Sequence, residues 1–127
     1  MHEHTYLLFG KERWAILQHY VMRVEDIDAE QSPAPVSLAT WGIQMTDVES
    51  GGRVLRIKTP TSQWSLLLYG QLKSLTVDAG QVIDLPRSFF GSSPATALIL
   101  RDDHRAPTLL LDPDRLYSSL IAAEDQP

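Results

Sequence analysis

Cysteine is absent from the 127 residues, which excludes a disulfide framework, a thiolate metal site and a cysteine nucleophile. The absence fits a reducing compartment, and the cytoplasm is the default expectation. Long apolar runs are missing too, and none approaches the roughly 20 residues that a bilayer-spanning helix needs. The opening Met1-His2-Glu3-His4-Thr5-Tyr6-Leu7-Leu8-Phe9 is broken at once by Gly10-Lys11-Glu12-Arg13. It lacks the basic start and long apolar core of a secretory signal. Positive charge is scarce: 11 Lys and Arg stand against 16 Asp and Glu, for a net charge of -5. Those basic residues are scattered, so the phosphate neutralisation on which nucleic-acid binding rests is not expected.

Catalytic patterns are equally thin. No serine sits in a Gly-x-Ser-x-Gly elbow, and Gly91-Ser92-Ser93 lacks the spacing and the lysine of a phosphate loop. Asp102-Asp103 falls in a polar turn, where water denies the pair the burial that separates two carboxyl pKa values. The histidines are His2, His4, His19 and His104. His2 and His4 sit with Glu3 in a terminal segment, short of the three or four ordered ligands that a metal site requires. His19 reads as a strand residue and His104 as a solvated turn residue. The expectation is no enzyme, no metal and no cofactor.

What is present is a series of short apolar runs separated by turn residues. Tyr6–Phe9 and Trp14–Tyr20 flank Gly10–Arg13 as a hairpin. In the second arm both faces are largely apolar, as in a strand wrapped into a small barrel. Val21–Ile27 alternates and continues the sheet or bends out of it. Asp28–Pro35 reads as a loop, because Pro33 and Pro35 exclude helix and central strand. From Val36 to Met45 the phase Ala39, Trp41, Ile43, Met45 is the more apolar, which predicts a half-buried strand. The adjacent Gly51 and Gly52 suit a turn. Arg53–Lys58, Gln63–Tyr69, Leu72–Val77 and Val82–Leu85 read as further strands, and Arg87–Pro94 as a loop carrying Phe89-Phe90.

The last third carries a hairpin, Ala97–Leu100 with Thr108–Leu111, and then a helix start. Asp112 is placed to cap that helix, Pro113 fits its first position, and Asp114 suits the positive end of its dipole. Leu116, Leu120 and Ile121 form its apolar stripe. Residues 1–127 read as one domain, all-β with a single C-terminal helix.

From Arg53 onward the order of elements resembles the CheW-like domain, the adaptor fold of bacterial chemotaxis. The strand pair Arg53–Lys58 and Trp64–Tyr69, the strand Leu72–Val77, Val82-Ile83-Asp84-Leu85-Pro86, the late hairpin and Leu111-Asp112-Pro113 carry the likeness. Tyr6-Leu7-Leu8-Phe9-Gly10 with Trp14-Ala15-Ile16 adds to it. The resemblance implies SH3-like barrels of short antiparallel strands, two of them intertwined and five-stranded, with no catalytic role. It also implies protein partners, a histidine kinase or a chemoreceptor; the charge balance and the short apolar runs add the expectation of neither nucleic acid nor membrane insertion.

The segment that in the family reads near Gly-Val-Ile-Asn-Leu-Arg-Gly is different here. Leu38–Asp47 lacks the Asn-Leu-Arg-Gly signature, and a strand or more is expected to be missing. Such a loss opens a sheet edge, which invites self-association or strand addition by a partner near Val36–Met45. Leu38, Trp41, Ile43 and Met45 are the candidate partner-binding residues, since aromatic and Met side chains are enriched at interfaces. Core packing of Trp41 serves the same alternation equally well; Trp14 and Trp64 read as core. The alternative function is a small ligand-binding or sensor barrel that self-associates without kinase coupling.

Overall fold

The computed structural model describes residues 3–26, 36–37, 52–86, 94–101 and 106–124. Ten strands and one helix are described: β1 (Glu3–Phe9), β2 (Trp14–Leu17), β3 (Val21–Asp26), β4 (Val36–Ser37), β5 (Gly52–Lys58), β6 (Gln63–Tyr69), β7 (Lys73–Asp78), β8 (Val82–Asp84), β9 (Ala95–Ile99), β10 (Thr108–Leu111) and α1 (Pro113–Glu124). They form a six-stranded sheet in the order β7-β1-β2-β10-β9-β8 and a four-stranded sheet in the order β3-β5-β6-β4. The architecture is all-β with a C-terminal helix. Among the described residues the strands divide six and four between the sheets.

The six-stranded sheet rolls up because its two edges are neighbours in sequence. β7 and β8 lie at opposite ends of the strand order, yet only the 3-10 turn Ala79–Gln81 joins them. Three residues reach at most about 10 Å, so the edges must approach each other. The interior of the roll is filled by Tyr6, Leu8, Ala15, Val77 and Ile99, with Leu17, Leu75, Val82 and Leu110 against them.

A second core joins the two sheets. Phe9 and Ile16 point away from the roll and meet Leu55, Ile57, Trp64, Leu66 and Leu68 of the other sheet, together with Leu111, Leu116 and Leu120. β1 and β2 are therefore buried on both faces, which is why their residues are apolar in both phases. The apolar second arm nevertheless ends as a strand at Leu17. Gln18–Tyr20 form a 3-10 turn that hands the chain from the first sheet to the second. His19 is accordingly a turn residue, in edge contact with the Tyr20 ring at 5.8 Å.

The late hairpin is antiparallel, with Thr108 opposite Ile99 and Leu110 opposite Ala97, and a bulge between Leu110 and Leu111. β10 also runs parallel to β2, Leu109 opposite Trp14. At the helix start Asp112 Oδ2 accepts the Arg115 N–H at 3.0 Å, the N-cap bond expected of it. Leu116 and Leu120 are fully buried and Ile121 partly so.

Candidate interaction surface

The predicted partner residues Leu38, Trp41, Ile43 and Met45 lie outside the described residues, as do Phe89-Phe90, Asp102-Asp103 and His104. Of the predicted strand Val36–Met45, the described part is Val36–Ser37. It runs parallel to β6, Val36 opposite Leu66, and forms the edge of the four-stranded sheet opposite β3.

Among the described residues the large exposed apolar side chains are Met22, Val24, Ile83 and Leu100. They fall on or beside sheet edges. Met22 and Val24 belong to β3, the outer strand of its sheet; Ile83 belongs to β8, the outer strand of the other, and Leu100 follows β9. Edge strands offer unpaired backbone groups, and exposed apolar side chains beside them favour docking of another chain.

β3 carries an ordered charge network on one face. Arg23 Nε lies 2.6 Å from Glu25 Oε1. Arg56 reaches the same carboxylate from β5, Nη2 to Oε2 at 3.3 Å, and donates through Nη1 to Ser65 Oγ at 2.7 Å. Arg56 and Glu25 are half-buried, whereas 70% of the Arg23 side chain is exposed. Glu25 is thus fixed from the inside by Arg56 and approached from outside by the exposed Arg23.

A second polar cluster holds one end of the first sheet together. Lys11 and Glu12 follow Gly10 in left-handed conformations, with φ of 57° and 65°, which L-residues adopt at a cost. Glu12 is retained there by its contacts: its carbonyl accepts the Thr108 hydroxyl at 2.7 Å, and its carboxylate accepts Arg101 Nη2 at 2.9 Å and Lys73 Nζ at 3.3 Å.

The third cluster was not legible as a site. Asp114, expected to serve the helix dipole, also accepts three hydroxyls from the β5–β6 turn: Thr59 and Ser62 on Oδ1, each at 2.6 Å, and Thr61 on Oδ2 at 2.7 Å. The hydroxyls of Ser62, Thr59 and Thr61 hold this carboxyl below its ordinary value. Three hydroxyl residues within four positions were the available signal. Elsewhere, burial pushes the Tyr6 phenol above its ordinary value.

Chemically these clusters brace the fold. Among the described residues no group of three or more His, Asp or Glu is placed to hold a metal, and no helix is long and apolar enough to cross a membrane. His4 and His19 share an open groove of ≈ 320 Å³ with Glu3, Thr5, Leu17 and Gln18.

The backbone arrangement has a counterpart among solved structures. It is similar to the crystal structure of the scaffolding protein TtCheW from Thermoanaerobacter tengcongensis, with a TM-score of 0.63 over 88% of this chain and 90% of that one. The fold is CheW-like. Sequence identity across the match is 10%, and no family model and no curated protein matches the sequence.

Proposed function

We propose that this chain is a non-catalytic protein-interaction adaptor of bacterial signal transduction, acting as one domain in the cytoplasm between a chemoreceptor and a histidine kinase. The observation that carries the reading is the likeness of its fold, over nearly the whole length of both chains, to a protein described as a scaffold. Exposed apolar side chains on the outer strands support it. So does the filled interior of the roll, where Leu8, Ala15 and Ile99 are fully buried. Leu38, Trp41, Ile43 and Met45 belong to the partner contact in this proposal.

The test is direct binding, by calorimetry, to the purified regulatory domain of a chemotaxis kinase and to a receptor cytoplasmic tip from the same genome. Saturable binding to either is expected, and Trp41→Ala should abolish it while leaving the melting temperature unchanged. No binding to both overturns the adaptor reading. Unfolding by Trp41→Ala would instead assign that residue to the core.

A further inference from the structure

The outer edge of β3 differs from the other long edge of the molecule. β7 exposes Lys73, Ser74, Thr76 and Asp78, the polar dress of a protected edge. β3 exposes Met22 and Val24, at 58% and 42%, and pairs only with β5 among the described residues. Its register against β5 is irregular between Val21 and Arg23 and regular from Arg23 to Asp26. The regular part reads Arg-Val-Glu-Asp.

That order is complementary to itself. When two copies of β3 run antiparallel about a two-fold axis at Val24, Arg23 stands opposite Glu25 of the second copy, and Glu25 opposite its Arg23. Directly opposed residues of opposite charge stabilise a strand pair, and symmetry makes the favourable contact twice. Val24 meets its own copy on the axis. Glu25 is already oriented by Arg56 at 3.3 Å, so its carboxylate is preset as an acceptor. Arg23, the exposed member, needs only to turn from its own Glu25 to the neighbour's. The neighbouring symmetric registers, with the axis at Arg23 or at Glu25, would set Arg23 against Arg23 or Glu25 against Glu25, and like charges directly opposed are destabilising.

We propose that the β3 edge is the seat of a second copy of this chain, the two strands pairing antiparallel about Val24 to join two four-stranded sheets into one. The inference does not depend on the adaptor reading. It also places self-association at the edge opposite Val36–Ser37, away from the segment where the sequence alone suggested it. The contact is small, so the dimer is concentration-dependent rather than obligate, and salt weakens it.

Because the chain has no cysteine, a single introduced thiol reports the axis cleanly. Directly opposed antiparallel residues lie about 4.5–5.5 Å apart at Cα, inside the about 4.4–6.8 Å range of a disulfide. Under mild oxidation Val24→Cys should give a covalent dimer, while Thr76→Cys on the β7 edge stays monomeric. Sedimentation velocity from low micromolar to near-millimolar protein should show a monomer–dimer equilibrium. Val24→Lys, which sets two ammonium groups on the axis, should abolish it with an unchanged melting temperature. A wild type that remains monomeric at the highest concentration overturns the proposal. A dimer that survives Val24→Lys, or a Val24→Cys protein that does not cross-link, overturns it equally.

Discussion

Thr59 donates its hydroxyl to Asp114 across 2.6 Å and 55 positions of sequence, tying the β5–β6 turn to the first turn of α1. Thr59 is buried, and its backbone N–H also closes the turn onto the Ser62 carbonyl at 2.8 Å. The same oxygen that donates to Asp114 accepts the Ser62 N–H at 3.0 Å. One threonine therefore shapes the turn and docks it on the helix.

The pH dependence of stability follows from that clamp. Three donors favour the charged carboxylate, so Asp114 titrates in the folded chain below its ordinary 3.8. A lowered folded value means the contribution is complete above 3.8 and is lost as pH falls below it, through the folded value. Asp114→Asn should cost about 1 kcal/mol at neutral pH, the modest figure reflecting solvent near the group. Thermal melts from pH 7 to pH 2 should show the gap between wild type and variant closing on the acid side. A gap that stays constant would mean that the hydroxyls do not discriminate between the charge states.

Asp112 is the separate test of the helix start. Its carboxylate takes the Arg115 N–H at 3.0 Å, and Pro113 removes one of the other unpaired donors. Asp112→Ala should cost about 1 kcal/mol in urea unfolding, and Asp112→Ser should restore most of it. Equal losses for the two variants would show that the cap bond is not the source.

Most strands were legible because each is an apolar run bounded by turn residues, as Gln63–Tyr69 and Arg53–Lys58 illustrate. The misreading at Gln18–Tyr20 has a local cause: a 3-10 turn of three residues imposes no period that distinguishes it from the end of an apolar strand. The parallel pairing of β2 with β10 left no trace, since register between segments so far apart is set by packing and not by local pattern. Asp114 shows the same limit. Its dipole role is written in the residues around it, whereas its hydroxyl partners come from a distant turn. The residues proposed for the partner surface, Leu38, Trp41, Ile43 and Met45, fall outside the described residues. The exposed β3 edge was not legible, because Val21–Ile27 fits a central strand as well as an outer one.

Gly10 is required by Trp14. Its φ of +62° suits a residue without Cβ, and a Cβ built there would lie 2.5 Å from Trp14 Cδ1. Gly10→Ala therefore combines backbone strain with displacement of a ring that packs on the second core. The expected loss is about 2 kcal/mol or more, with a change in tryptophan near-ultraviolet dichroism. Lys11 shares the left-handed backbone, φ 57°, yet it is exposed. Lys11→Gly should be neutral or stabilising by up to about 1 kcal/mol. A larger loss at Lys11 than at Gly10 would show that the turn is held by Lys11 contacts and not by sterics.

The Glu12–Arg101 pair predicts an asymmetry between its two halves. Only 6% of the Arg101 side chain is exposed, against 26% for Glu12, and Arg101 also reaches the fully buried Thr108 hydroxyl at 3.3 Å. Removing the acid strands a guanidinium away from water. Removing the base leaves a carboxylate that is better hydrated and still faces Lys73 at 3.3 Å. Breaking one side of a buried pair is costly through the charge left behind. Glu12→Ala should thus destabilise by about 3 kcal/mol and Arg101→Met by about 1 kcal/mol. The double variant should be more stable than Glu12→Ala alone, because it no longer buries a lone charge. Urea unfolding of the four proteins measures the coupling. If Arg101→Met costs as much as Glu12→Ala, the carboxylate left behind is no better hydrated than the guanidinium, and the predicted asymmetry is overturned.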